Sequence, residues 1–413
     1  MENNEHLNVV NFHVLKAILD AGQERVVLAS RDIFDERGVK LLARDRQLPQ
    51  ALQERLLERK LRAPLEASLR FEAGLDRAQL RAAFAALLAS HHKVAQIVRP
   101  WAREIEAQIN ILPLDPVLLF LLTTLQATDP VALEHAVQAM AIAGAMSVRA
   151  GSSPGDLRLA MVAGLVHDMG VLELDPRLRG SDGELDLADF RALMTHPGRG
   201  AALLSGLKEY PLALSRAVGE HHERLDGSGY PQSLAGEAMS SLGRLLAVVE
   251  TTLGVLSQAD ATLARASFAL RVVPREYDAD WVGIVAGAAA APAVNSGAQA
   301  DAAVAWEGLA RSNRIISDAA SCAAALACSN RPAVRAAALR AAHLLERLRV
   351  GWNDMGLWAD AASAASASPE LAMADDELRY RLSHLERDCL AQHADPDAAD
   401  RQPLAVLWQC LRS

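Results

Sequence analysis

Cysteine is scarce and confined to the last third of the chain. Cys322, Cys328, Cys389 and Cys410 are the four present, and no Cys-x-x-Cys occurs among them. That excludes a disulfide-stapled scaffold, argues against a thiolate metal site and fits a reducing cytosol. Aromatic residues are also few, at 4% against 51% hydrophobic overall, so the apolar content is mostly alanine and leucine. Such a composition favours closely packed helices over sandwiches or barrels. An excess of positive charge is missing too: the formal net charge is -9, which argues against binding a nucleic-acid polymer through a basic face, although local clusters can still meet a dianionic nucleotide. No apolar run reaches membrane-spanning length, and Met1-Glu2-Asn3-Asn4-Glu5 lacks the chemistry of a secretory leader. The expectation is a protein with no membrane span that works in the cytoplasm.

What is present fills 413 residues, enough for two or three domains with a core in each. In residues 1–111, apolar runs at Val26 to Ala29 and Val39 to Leu42 bracket Asp35-Glu36-Arg37-Gly38 and predict a small β-hairpin. Pro49 opens a helix to about Lys60, and a longer helix is expected from a cap at Asp76 to Val98, with His91 and His92 on a helix face. Asp115-Pro116 and Thr128-Asp129-Pro130 each pair a capping acid with a proline at the first helical position, and Ser153-Pro154-Gly155-Asp156 starts a third apolar helix. From about Ala286 an alanine-rich stretch with Asn295-Ser296-Gly297 reads as a linker. Amphipathic patterns at Pro332 to Arg349 and Asp376 to Leu390 flank an Ala/Ser-rich stretch at Ala361 to Ser368 and predict a helical C-terminal region. Leu344 and Leu345 beside Glu346, Arg347 and Arg349 read as a core helix face or an association face.

The chemistry concentrates in a few short strings. Val166-His167-Asp168-Met169-Gly170 ends an apolar helix with a nitrogen ligand beside a hard oxygen ligand, a pair that can bridge two cations. His135 lies on the preceding helix among apolar neighbours, where a core histidine and a ligand are both open readings, and His196 begins His-Pro-Gly-Arg-Gly. The string from His221 to Pro231 reads His-His-Glu-Arg-Leu-Asp-Gly-Ser-Gly-Tyr-Pro. Adjacent helical residues point about 100° apart, so its two imidazoles serve either different metals or different sides of one cluster. An Asp-Gly turn and a Gly-Tyr-Pro exit suit a rim where backbone approaches a ligand.

These eleven residues resemble the signature of HD-GYP domains, metal-dependent phosphodiesterases that open the bacterial second messenger cyclic di-GMP. His167-Asp168, preceded by Ala-Gly-Leu-Val, resembles the hallmark of the wider HD superfamily, and His196 falls in its His-Pro-x-x-Gly element. His135 stands where the family has a histidine ahead of the His-Asp pair. In the helix after the loop the family has two aspartates; here Glu250 takes the metal-binding position and Leu253 the second. The added methylene of Glu250 moves a carboxylate by roughly an ångström, a displacement that can cost about a hundredfold in a tuned site. Val171 replaces the lysine of His-Asp-x-Gly-Lys, and Ser257 to Thr262 lacks the usual basic and aromatic residues.

The resemblance implies a mainly α fold: an HD-superfamily helical bundle with a small α+β N-terminal domain and a helical C-terminal extension. It divides the chain into an accessory domain at 1–111, a phosphodiesterase domain at 112–285 and a C-terminal region of unassigned role at 286–413. His135, His167, Asp168, His196, His221, His222 and Glu250 become candidate ligands of a dinuclear iron or manganese centre, with His167 and Asp168 catalytic. Arg224, Asp226, Gly229, Tyr230, Pro231 and Arg244 become candidate substrate contacts, Arg224 being equally open to pairing with Asp226. Two cations can bind the anionic oxygens that protect a phosphodiester and lower the pKa of water toward about 7. The implied activity is hydrolysis of cyclic di-GMP to pGpG or GMP. The alternative is a catalytically degenerate protein that binds cyclic di-GMP or metal and signals through protein contacts, using the Gly-Tyr-Pro loop or the C-terminal helices. A homodimer is left open by the sequence.

Overall fold

Capping side chains and prolines set where the central helices begin. Asp115, Asp129 and Ser153 accept first-turn amides from Leu118, Ala132 and Asp156, and Pro116, Pro130 and Pro154 hold the first helical position. A missing N–H costs nothing there, and each such cap contributes about 1 kcal/mol. The computed structural model describes residues 10–178, 185–207, 209–258, 261–290, 302–354, 369–392 and 397–412. It is mainly helical, as its composition requires.

The N-terminal region starts with α1 (Phe12–Glu24), followed by β1 (Val27–Ala29), β2 (Ile33–Phe34), β3 (Lys40–Leu42), α2 (Gln53–Leu57) and β4 (Leu69–Phe71). The expected hairpin needs correction. Its turn is present, but β3 pairs with β2, while β1 pairs with β4, Val27 opposite Phe71. The Asp35 carboxylate accepts the Val39 amide at 2.8 Å, which closes the turn beside Ile33 and Phe34 and leaves the earlier run to find another partner. The helix expected from Pro49 to Lys60 is shorter, a 3-10 turn at Gln50–Leu52 running into α2.

The single helix expected from Asp76 to Val98 is two, α3 (Arg77–Ala89) and α4 (Lys93–Val98). Ser90 breaks it by donating its hydroxyl to the Leu87 carbonyl at 2.7 Å and accepting the His92 amide at 3.1 Å. His92 Nδ1 then caps α4 by accepting the Val94 amide at 3.2 Å, so this histidine is a cap and not part of a helix face. Helix α5 (Ala102–Ile109) follows, and α3, α4 and α5 all pack on α7.

The helices that follow are α6 (Pro116–Thr128), α7 (Pro130–Arg149), α8 (Pro154–Val166), α9 (Leu187–Leu193), α10 (His196–Ser205), α11 (Leu212–Glu220) and α12 (Ser241–Leu256). Helix α7 corrects the expectation about apolar runs: among the described residues it alone is long and apolar enough to cross a membrane, and 72% of its apolar window is buried as a core helix. Glycine lets its neighbour approach closely. A Cβ on Gly164 of α8 would lie 2.6 Å from the Ala139 oxygen and 2.8 Å from the Met140 nitrogen of α7, which is backbone against backbone.

By contacts the chain forms two compact units. The first takes the described residues of Met1–Glu184, Ala192–Glu223 and Glu237–Leu253; the second takes Leu185–Arg191, Arg224–Gly236 and Gly254–Ser413. These units do not follow the sequence divisions at 111 and 285. The second contains α13 (Leu263–Ala269), α14 (Ala279–Ala289), α15 (Ala302–Leu326), α16 (Pro332–Asp354), α17 (Pro369–Ala391) and α18 (Ala398–Arg412). Since α14 runs to Ala289, Ala286 is helical and does not begin a linker; Asn295 to Gly297 and Ala361 to Ser368 lie outside the described residues. Leu309, Ile316, Leu345, Leu348, Leu378, Leu382 and Trp408 fill the core of this unit, with Leu344 packed against it, which makes α16 a core helix.

Overpacking a backbone contact costs about 1–3 kcal/mol. Gly164→Ala is therefore expected to destabilise the first unit by that amount in urea denaturation. Gly283→Ala in α14, where nothing lies within 4 Å, is expected to stabilise by about 0.5–1 kcal/mol.

Candidate metal centre

Helix ends supply most of the polar side chains gathered in the first unit. His167 and Asp168 follow α8 directly, His196 is the first residue of α10, and His221 and His222 follow α11. His135 comes from the second turn of α7 and Glu250 from α12. At three of these ends the ring is oriented in the same way. Nδ1 of His167 lies 2.8 Å from the Gly164 oxygen, Nδ1 of His196 2.8 Å from the Leu193 oxygen, and Nδ1 of His221 2.6 Å from the Val218 oxygen. Each is a carbonyl three residues back, left open where a helix or turn stops, and it takes the imidazole N–H. An N–H is thereby favoured on Nδ1, and Nε2 is the nitrogen that faces the cluster.

Those nitrogens converge on one carboxylate. Asp168 Oδ1 lies 3.2 Å from His196 Nε2 and 3.4 Å from His221 Nε2, whereas Oδ2 lies 3.5 Å from His135 Nε2 and 3.6 Å from His167 Nε2. Glu250 Oε2 lies 3.2 Å from His167 Nε2 and 3.3 Å from His135 Nε2. Two ligand-atom groups result, Asp168 with His196, His221 and His222, and Asp168 with His135, His167 and Glu250. Of the two readings of the histidine pair, different metals or different sides of one cluster, the structure takes the second. The helix ends at Glu220, so both rings turn into the same group.

This donor set fits cations. The Nε2 atoms of His196 and His221 face each other at 3.0 Å, and those of His135 and His167 at 3.2 Å. Two neutral lone pairs at that separation repel unless positive charge lies between or beside them. Metal-free, protons supply part of that charge. Burial opposes it at His167, but Asp168 and Glu250 push this imidazole up to about 9. Burial also opposes ionisation of Asp168 and Glu250, yet the surrounding imidazoles hold both well below the usual carboxylate range. Burial lowers His221. Five imidazoles and two carboxylates are a suitable donor set for two divalent cations.

Residues 120–267 match the HD domain family, and the match takes in all seven of these side chains. Its His-Asp pair is followed by the complete His-His-x-x-x-Asp-Gly-x-Gly-Tyr-Pro string. These residues match an HD domain and carry a string that resembles the HD-GYP signature. Over 117 residues it is 32% identical to the cyclic di-GMP phosphodiesterase response regulator RpfG of Xanthomonas campestris, covering 28% of this chain and 31% of that one. Over 144 residues it is 28% identical to the 3'3'-cGAMP-specific phosphodiesterase 3 of Vibrio cholerae, covering 34% and 31%. The chain thus spans about a third of the length of the curated relatives it matches. Among solved structures, Bd1817, an HDG"Y"P protein from Bdellovibrio bacteriovorus, is 15% identical over 62% of this chain and 94% of that one, with a TM-score of 0.37.

Two glycines of the matched region have a steric role here. A Cβ on Gly170 would collide with the His196 carbonyl oxygen and lie 2.6 Å from the Gly200 nitrogen; one on Gly200 would lie 3.0 Å from Val218 Cγ1 and 3.2 Å from the Gly170 nitrogen. Paired glycines let the turn after Asp168 rest against α10, which sets the height of His196. Of the substitutions, Leu253 is buried in the core, Val171 lies in the 3-10 turn Met169–Glu173, and Glu250 reaches the cluster.

The predicted substrate contacts divide between the units. Arg244 is half-buried on α12 in the first. Arg224, Asp226, Gly229, Tyr230 and Pro231 belong to the second, where the Arg224 guanidinium lies 4.9 Å over the Tyr277 ring and Asp226 pairs with Arg347 at 3.1 Å. Two features were not foreseen. Buried Glu220 accepts the Ser240 amide at 2.8 Å and fixes the start of α12, and Arg340 and Arg347 of α16 hold the Gly-Tyr-Pro loop. The only sequence trace of the second is a basic stripe, Arg340, His343 and Arg347, at spacings of three and four.

Because metal-free His167 keeps its proton up to about 9 and a ligand must release it, cation binding displaces a proton below that pH. Apparent affinity for Mn²⁺ is expected to rise about tenfold per pH unit toward about 9 and then level off. Chelator-buffered titrations at several pH values measure this, and a flat profile from pH 7 to 9 would contradict it.

Proposed function

We propose that the HD-GYP domain is a metal-dependent phosphodiesterase that hydrolyses a cyclic dinucleotide, cyclic di-GMP, to pGpG or GMP. One observation carries the reading: the two oxygens of Asp168 face two separate sets of imidazoles, the arrangement a carboxylate needs to bridge paired cations. Iron or manganese suits nitrogen-plus-carboxylate donors better than magnesium does. His135, His167 and Glu250 would hold one ion and His196, His221 and His222 the other, with Asp168 between them. When bound, such a pair supplies positive charge for the phosphodiester oxygens and lowers the pKa of water. Hydrolysis then adds water across one P–O bond and opens the ring.

The chain's own residues supply placement. Carbonyls at Gly164, Leu193 and Val218 fix the rings, and this restraint matters because a hydrogen-bond partner that orients a metal ligand is worth about 10–100-fold. Arg244 and Arg224 are the candidate phosphate or guanine contacts, and the Gly229-Tyr230-Pro231 loop lines the nucleotide groove in this reading. Residues 1–111 serve as an accessory domain and 112–285 as the catalytic one, in the cytoplasm. The relatives favour a cyclic dinucleotide, named as cyclic di-GMP in one and 3'3'-cGAMP in another. The degenerate alternative rested on Val171, Glu250 and Leu253, and it loses support because Glu250 lies among the candidate ligands.

Protein purified anaerobically is expected to hold about two metal ions per chain by elemental analysis and to convert cyclic di-GMP to a linear product by chromatography. His167→Ala and Asp168→Ala should lose metal and at least about 100-fold in turnover, since even outer-shell changes reach that size. Full metal content with no turnover of cyclic di-GMP or 3'3'-cGAMP would sink the proposal.

A further inference from the structure

Three successive carbonyls in the second unit converge on one side chain. Arg340 of α16 donates through Nη1 to the Gly227 oxygen at 2.7 Å, and through Nη2 to the Ser228 oxygen at 2.5 Å and the Gly229 oxygen at 3.4 Å. Carbonyl oxygens gathered at one point repel each other, and a guanidinium offsets that repulsion with a full charge and a planar fork of donors that lysine lacks. One turn along the same helix face, His343 Nε2 lies 3.1 Å from the Asp226 oxygen, and a further turn on Arg347 donates to the Asp226 carboxylate at 3.1 Å. The far side of the loop is tied down as well. Gln392, just past α17, donates its amide to the Gly229 oxygen at 2.8 Å and accepts the Ser233 hydroxyl at 3.0 Å.

Local bonds hold part of this loop, among them one from the Ser233 hydroxyl to the Gly229 oxygen at 3.3 Å. The Asp226 carboxylate accepts the Ser228 amide at 3.0 Å, Gly227 takes the positive φ of 78° that the turn needs, and Asp226 bridges to Ala235 at the base. Between these lies Gly229-Tyr230-Pro231, where glycine makes ordering expensive. The side chains of Arg340 and Gln392 that also reach Gly229 come from more than a hundred residues further along the chain.

We infer that Arg340, supported by Arg347 and Gln392, is a positioning residue that presets the Gly-Tyr-Pro loop, and that this is a role of the C-terminal helices. The inference rests on the proposed function in one respect, that the loop lines the nucleotide groove. A loop already ordered does not charge its ordering entropy to the ligand, so losing the clamp weakens substrate binding more than turnover.

The test uses the full chain, with Arg340→Ala, Arg340→Lys, Gln392→Ala and, as a control on the same helix, Arg335→Ala. Amide hydrogen exchange over residues 227–233 should speed up at least about tenfold in Arg340→Ala, by an intermediate factor in Arg340→Lys, and not in Arg335→Ala. The KM for cyclic di-GMP should rise about tenfold with kcat within about threefold, and bound metal should match the wild type. Exchange unchanged in Arg340→Ala overturns the clamp, and faster exchange with unaltered KM overturns its part in substrate binding. If Arg340→Ala fails to fold, Arg340→Lys and Gln392→Ala decide by the same readouts. Wild-type protein without turnover would defeat the phosphodiesterase reading alone, because hydrogen exchange still decides whether Arg340 holds the loop.

Discussion

A half-buried carboxylate between two sets of imidazoles governs the first unit. Asp168 is held ionised by the histidines around it, and two carboxylates among those histidines offset the repulsion between them. Neither half is stable alone: an unpaired buried carboxylate takes up a proton, and facing imidazole lone pairs repel. The cluster is therefore a single electrostatic object built from five helices and the turns that end them. Its dependence on positive charge is what suits it to cations.

Backbone geometry delivers these groups to one place. Helix ends leave carbonyls open, and an imidazole one turn later closes on them, so the segments that expose a ligand also orient it. Glycine sets the spacing between helices, with Gly164 against α7 and Gly170 against Gly200. Glu220 anchors the start of α12 through Ser240, and Glu250 follows at a height where its longer side chain reaches His135 and His167.

The second unit pairs a short polar loop with helices far along the chain. Residues 224–236 belong there by their contacts, although the motif reads as a continuation of the histidine pair in the first unit. Carbonyls of the loop meet Arg340, its aspartate meets Arg347, and Gln392 closes the far side. A C-terminal region with no readable motif thereby acquires a physical connection to the most recognisable string in the protein.

Much of this was legible in the residues themselves. Caps and prolines marked α6, α7 and α8, periodicity marked α16 and α17, and side-chain chemistry singled out His167, Asp168, His221 and His222, because ligating groups and helix starts are local properties, whereas His135, His196 and Glu250 were named through the family resemblance. The long helix from Asp76 broke at Ser90 because a side chain competed for backbone bonds, and the expected hairpin exchanged one strand because pairing partners are chosen at long range. Sequence thus determined which groups are present and where helices begin. Tertiary structure alone decided which oxygen of Asp168 faces which imidazole, that both histidines of the pair enter one group, and that Arg340 reaches three carbonyls. Those outcomes depend on distances between segments remote in the chain, and such distances are fixed by packing.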